Sequence, residues 1–130
     1  MSDFLQTLSV SASGMRAQSE RLKHVAENVA NADTPGYHRK SMSFEAYAPN
    51  DPSDGRVKAG PLQLDRSELN RIYDPSNPLS DDQGFYDGSN VNTLLEIADS
   101  REAQRGYEAN LKMFDQARQM SRSLLDLLRR

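Results

Sequence analysis

The sequence predicts a mainly α fold: long N- and C-terminal helices pairing as a coiled coil, with a small β-rich or irregular insert between them. Three observations predict it. All six prolines fall between Pro35 and Pro78 and five of the seven glycines between Gly36 and Gly88, so helix breakers are concentrated in the middle. Both ends carry stripes with alternating spacings of three and four, the 3.5-residue period of a coiled-coil seam. Short alternating runs between turn residues fill the centre. The expected units are an N-terminal helix at 1–33, an insert at 34–92 and a C-terminal helix at 93–130.

The N-terminal stripe runs Leu5, Leu8, Ala12, Met15, Ser19, Leu22, Ala26 and Val29. Arg16, Glu20, Arg21, Lys23 and Glu27 fall off it, on the expected wet side. Gly14 weakens the helix by about 1 kcal/mol relative to alanine, or else permits close approach by a neighbour. The helix is told to stop at NVANADTPGY. Pro35 pushes Thr34 out of the α region, and Gly36 tolerates the positive φ of a Pro-Gly type II turn. Asn31 and Asp33 can offer side-chain oxygens to the nearby backbone.

In the insert, Met42, Phe44 and Ala46 alternate as in a strand, as do Leu62 and Leu64, and ELNRIYDP reads as a third short strand. YDPSNPLSDDQGFYDGSN reads as turn chemistry throughout. The C-terminal helix is expected to open with a capping box, Thr93 capping free N–H groups while Glu96 reaches back. Its stripe runs Ala103, Tyr107, Asn110, Phe114, Ala117, Ser121, Leu124 and Leu128. Acids Glu96, Asp99 and Glu102 come early and Arg118, Arg122, Arg129 and Arg130 late, as the helix dipole favours. Leu94, Leu95, Ile97 and Ala98 lie off the stripe and face either the insert or another chain.

Composition bounds the function. A net charge of −3 lacks the basic balance of a nucleic-acid binder. No cysteine is present, so no disulfide or thiolate metal site is possible. MSDFLQTLSV carries an acid where a signal peptide has its basic region, and no apolar run reaches the ~20 residues of a membrane span. His24 and His38 have no partner at metal-ligand spacing, and SDDQG lacks the alternating ligands of a calcium loop. SASG is no nucleophile elbow, and no glycine-rich phosphate loop occurs. The expectation is a protein that is not an enzyme, with no cofactor, no metal and no small-molecule substrate. Each stripe can pack within one domain. Arms of about 28 and 36 residues exceed an average helix, and so polar an insert cannot cover them, which keeps packing between chains open.

The ends carry more than periodicity. Residues 11–37, SASGMRAQSERLKHVAENVANADTPGY, resemble the N-terminal signature of the bacterial flagellar rod and hook protein family. The resemblance rests on the S-G-M-x-A-Q start, Arg21-Leu22, Asn28, Ala30-Asn31-Ala32 and the closing Thr34, Pro35, Gly36 and Tyr37. NVNTLLEIADSREAQRGYEANLKMFD resembles the C-terminal signature at Asn90, Val91, Asn92, Glu96, Arg105, Tyr107, Glu108, Ala109 and Asn110. The Asp74-Pro75 to Gly84 stretch and Tyr107 to Asn110 look like the C-type proximal-rod branch. The short Thr34-Pro35-Gly36 link and Ser89 before Asn90 look closer to other branches, the B-type rod proteins first.

The resemblance implies a rod subunit whose terminal helices pair and stack with those of neighbours as the inner wall of a hollow tube, a periplasmic drive shaft transmitting torque. Such contacts are heterologous and propagate into filaments. The two stripes would then be the subunit interface. The implied partners are further copies, other proximal and distal rod proteins, a rod-base or export-gate adaptor, and the flagellar type III export apparatus, reached without a cleaved signal. A soluble coiled-coil adaptor or export chaperone is the alternative.

Overall fold

A computed structural model describes residues 2–130; Met1, the first residue of the expected N-terminal unit, lies outside the described residues. Helix α1 spans Ser2–Ala30 and α2 spans Thr93–Leu128. Between them lie β1 (Lys40–Ser41), β2 (Phe44–Ala46), β3 (Val57–Ala59), β4 (Gln63–Leu64), β5 (Arg71–Tyr73) and β6 (Phe85–Asp87).

The proline-glycine stop works as its chemistry dictates. The Asn31 side chain donates back to the Glu27 carbonyl at 2.8 Å, and its Oδ1 accepts from the Thr34 hydroxyl at 3.1 Å. Tyr37 N–H donates to the Thr34 carbonyl at 3.2 Å, closing a turn over Pro35 and Gly36. Gly36 has φ 76°, as the second central position of a type II turn requires. Its N–H donates to the carbonyls of Asp87 and Gly88 at 3.3 and 3.0 Å, which seats the turn on the end of β6.

The strands form three antiparallel ribbons, β1 with β4, β2 with β3 and β5 with β6. The first two are one long hairpin, nested and interrupted. Lys40 pairs with Leu64 and Phe44 with Ala59, and the break falls at Met42–Ser43 opposite Gly60–Leu62. Pro61 has no N–H to give a ladder, which explains why the expected continuous Met42–Phe44–Ala46 strand is divided. This hairpin folds back along α1, where Val57 N–H donates to Ser13 Oγ at 3.1 Å and Gln6 donates to the Ser53 carbonyl at 2.7 Å. β6 corrects the expectation of turn chemistry through residue 90. Its three residues sit between Gly84 and Gly88, and Phe85 packs edge-on against Tyr73 at 5.1 Å.

The start of α2 also differs from expectation. Asn92, not Thr93, is the N-cap; its side chain accepts from the N–H groups of Leu94 and Leu95 at 3.1 and 3.4 Å. Thr93 is the first helical residue, and Glu96 turns inward to Arg39 and Asn28. Asparagine caps at least as well as threonine, and a charge-assisted partner outcompetes a backbone N–H for the carboxylate.

The two helices run antiparallel. Glu96 meets Asn28, Asp99 meets Arg21, Gly106 meets Gln18 and Asn110 meets Gly14. A Cβ on Gly14 would stand 2.7 Å from the Asn110 amide, and one on Gly106 would stand 2.5 Å from Gln18 Nε2. These glycines set the closest approach, so the buried line lies beside the expected stripes. It takes Ser11, Gly14, Ala17, Val25 and Asn28 on α1 and Glu96, Ala103 and Ala117 on α2. Only Ala17, Val25, Val91, Ala103 and Ala117 are buried apolar residues among those described.

Candidate subunit interface

A polar junction fixes the geometry of the helix pair. Asn28 is 0 % exposed and uses its whole amide. Its Nδ2 donates to the Lys40 carbonyl at 2.8 Å and to Glu96 Oε2 at 3.2 Å. Its Oδ1 accepts from Lys40 N–H at 2.8 Å and from the Tyr37 hydroxyl at 2.9 Å. Glu96, also 0 % exposed, has its other oxygen on Arg39 Nε. Arg39 continues to Asp99 at 3.0 Å, and Asp99 accepts from Arg21 at 2.9 Å. Asn90 closes the far side: its Oδ1 accepts from Arg39 N–H at 2.6 Å while its Nδ2 donates to the Asp65 carbonyl at 2.9 Å.

The electrostatics follow from these contacts. The hydrogen bond from Lys40 at 2.9 Å holds the Glu27 carboxyl below its usual range, and Glu27 raises Lys40 in return. Burial pushes the Tyr37 phenol up. In the insert, Arg56 lowers Asp54, while the backbone N–H groups of Ser67 and Phe85 lower Asp65 and Asp81. The junction's charges are spent on one another, which makes it a structural joint. No group of three or more His, Asp or Glu among the described residues could hold a metal ion. His38 Nδ1 donates to the Asp65 carbonyl at 2.9 Å; His24 Nδ1 is buried without a partner. No described helix is long and apolar enough to cross a membrane.

The signature residues divide into four groups. Asn28, Tyr37, Asn90 and Glu96 converge on the junction; Asn31, Thr34, Pro35 and Gly36 build the exit turn, and Asn92 caps α2. Glu108 and Ala109 are exposed on α2. Sequence reasoning missed Arg39, Lys40 and Asp99 as partners, and it placed Arg21 and Glu27 on the wet side, whereas both are half-buried and ion-paired. The acids in the opening turns of α2, set against scattered cations before and after the proline-glycine turn, were the available signal.

Of the expected stripes, Ala103 and Ala117 are buried within the chain. Leu8, Ala12, Met15, Leu22, Asn110 and Phe114 are half-buried, while Leu5, Ala26, Val29, Tyr107, Leu124 and Leu128 are exposed. Exposed apolar side chains run along α2, through Leu111, Met113 and Met120, and are barest at its two ends. Leu94 is 75 % exposed beside Leu95 and Ile97; at the other end Leu128 is 80 % exposed beside Leu124, Leu125 and Leu127. With 36 residues against 29, α2 outruns α1, and its last turns carry apolar side chains past their cover.

Comparison with known proteins adds an independent line. Residues 8–38 match the family model described as flagella basal body rod protein, and residues 82–127 match flagellar basal body rod FlgEFG protein C-terminal. A flagellar basal-body rod protein FlgC of Agrobacterium fabrum is 42 % identical over 127 residues, covering 92 % of this chain and 91 % of its own. The chain belongs to the FlgC family. FlgC proteins of Aquifex aeolicus and of Escherichia coli O6:H1 are 38 % and 30 % identical, covering 88 % and 95 % of this chain and 89 % and 96 % of their own. The two segments matched by the family models contain the exit turn and the cap of α2, together with Asn28, Tyr37, Asn90 and Glu96 of the junction. These relatives are all named as flagellar basal-body rod proteins.

Proposed function

We propose that this protein is a structural subunit of the flagellar basal-body rod, polymerising through its terminal helices into a periplasmic shaft that transmits torque. Membership of the FlgC family supports the basal body as its place and other rod components as its company. The observation that carries the polymerising role is surface. The chain exposes 9185 Å², whereas a folded monomer of its mass exposes about 6,900 Å². The excess is of the size that obligate interfaces bury, about 2,000 Å² or more. Leu5, Leu8, Ala12, Met15, Leu22, Ala26 and Val29 on α1, with Tyr107, Phe114, Leu124 and Leu128 on α2, are the proposed contact residues.

In this reading the polar junction holds α1, α2 and the insert at one angle, so that every copy presents the same faces to its neighbours. Delivery through the flagellar export apparatus, and contact with proximal and distal rod proteins and a rod-base adaptor, belong to the same proposal. The test is deletion of the gene in its source bacterium. Loss of swimming, with basal bodies that lack a rod and recover it when the gene is restored, is expected. Complete rods in the deletion strain would refute the proposal.

A further inference from the structure

We propose that the β5–β6 hairpin of one copy receives the C-terminal turns of α2 of a second copy, head to tail. The inference rests on the rod-subunit reading and names one contact within it. Residues 71–87 hold four aspartates against one arginine, and residues 118–130 hold four arginines against one aspartate. On the hairpin, Arg71 is taken by Asp81 at 2.6 Å. Among the described residues Asp82 and Asp87 have no ion-pair partner, and neither do Arg122, Arg129 and Arg130.

Both charged surfaces also carry exposed apolar side chains. Tyr73 and Leu79 are exposed on the hairpin, as are Leu124, Leu127 and Leu128 on the helix end. The hairpin is a firm platform. Asp74 N–H donates to the Gly84 carbonyl at 2.9 Å, and Asp81 Oδ1 accepts from the N–H groups of Gln83 and Phe85 at 2.9 and 3.0 Å.

The two surfaces cannot meet within one chain. The base of the hairpin sits beside the start of α2, with Asn70 N–H donating to the Ser89 carbonyl at 3.1 Å, and Ser89 Oγ ties it to the Ala32 carbonyl just past the end of α1. The basic end lies a whole helix away. At 1.5 Å per residue the 36 residues of α2 extend about 54 Å. Each arm of the hairpin, about eight residues, reaches at most ~26 Å. One chain thus carries both halves of a complementary pair at opposite ends, a heterologous contact of the kind that can repeat along a filament.

The experiment uses the purified full chain and two charge-reversed variants, Asp82→Arg with Asp87→Arg and Arg122→Glu with Arg129→Glu. Self-association is followed by sedimentation velocity over a concentration series at low salt. The wild type should associate, and each variant alone should associate at least about tenfold more weakly, since two attractive pairs become repulsive. Mixed together, the variants present complementary ends again, so association should return; a misfolded variant could not do this. Failure of the mixture to recover, undiminished association of either variant alone, or a wild type that stays monomeric would each overturn the head-to-tail contact. A monomeric wild type whose gene still restores rods to the deletion strain would remove this inference and leave the rod function standing.

Discussion

Asn28 and Glu96 are the two largest side chains fully buried in the structure, and both are polar. Burying them is tolerable because every hydrogen-bonding position of the Asn28 amide is used and both Glu96 oxygens have partners. A carboxylate so placed is costly to lose. Glu96→Ala leaves Arg39 without its nearest anion and Asn28 with an unmet donor, and should cost about 3 kcal/mol or more, the range for breaking a buried pair. Glu96→Gln keeps an acceptor for Asn28 and should cost less. Urea unfolding of the full chain checks both; an alanine variant within about 0.5 kcal/mol of the wild type would mean the junction does not hold the helices together.

At the scale of elements, α2 starts at Asn92, so the cap should reside there. Asn92→Ala should lower stability by about 1 kcal/mol, with Thr93→Ala close to neutral. The reverse order, read from thermal unfolding, would restore the capping box at Thr93. The insert has its own sensitivity. Asp54, Asp65 and Asp81 titrate below the ordinary carboxylate range because arginine or backbone N–H groups bond to them, and Glu27 does so through Lys40 of β1. Ionised, each favours the folded chain. That contribution is complete above the unfolded carboxylate pKa of about 4 and is lost as pH falls through the lowered folded values. Acid should therefore loosen the insert before the helices. The near-ultraviolet dichroism of Tyr37, Tyr47, Tyr73 and Tyr86 should fade below about pH 4 while the far-ultraviolet helical signal persists; simultaneous loss of both signals would contradict this.

The elements were readable from sequence to different depths for physical reasons. Two long helices and the stop at Pro35-Gly36 follow from local chemistry, since breakers and 3.5-residue spacing act within a few residues of themselves. The line of helix contact does not. It is drawn by Gly14 and Gly106, whose role is to be small, and a search for apolar stripes passes over them to Met15 and Tyr107. Arg39 joins Glu96 across 57 positions, and no local pattern ties a residue after a turn to one on a distant helix. β6 was hidden because three residues between glycines carry too little alternation to count.

For the whole molecule, the polar joint and the bare apolar ends are two halves of one design. The joint sets the angle at one end of the helix pair, and in the proposed assembly neighbouring copies cover the apolar side chains at both ends of α2. The charge separation between hairpin and helix end would give those contacts a direction. The measurement that tests this account most directly is a reconstruction of the basal body from the source bacterium, at a resolution that shows side chains. The expected map has α1 and α2 of each copy lining the inner wall of the rod, with Leu124, Leu127 and Leu128 covered by neighbouring subunits and Asn28 still bonded to Glu96. A rod in which these leucines face open solvent, or in which the helix pair lies on the outer surface, would contradict it.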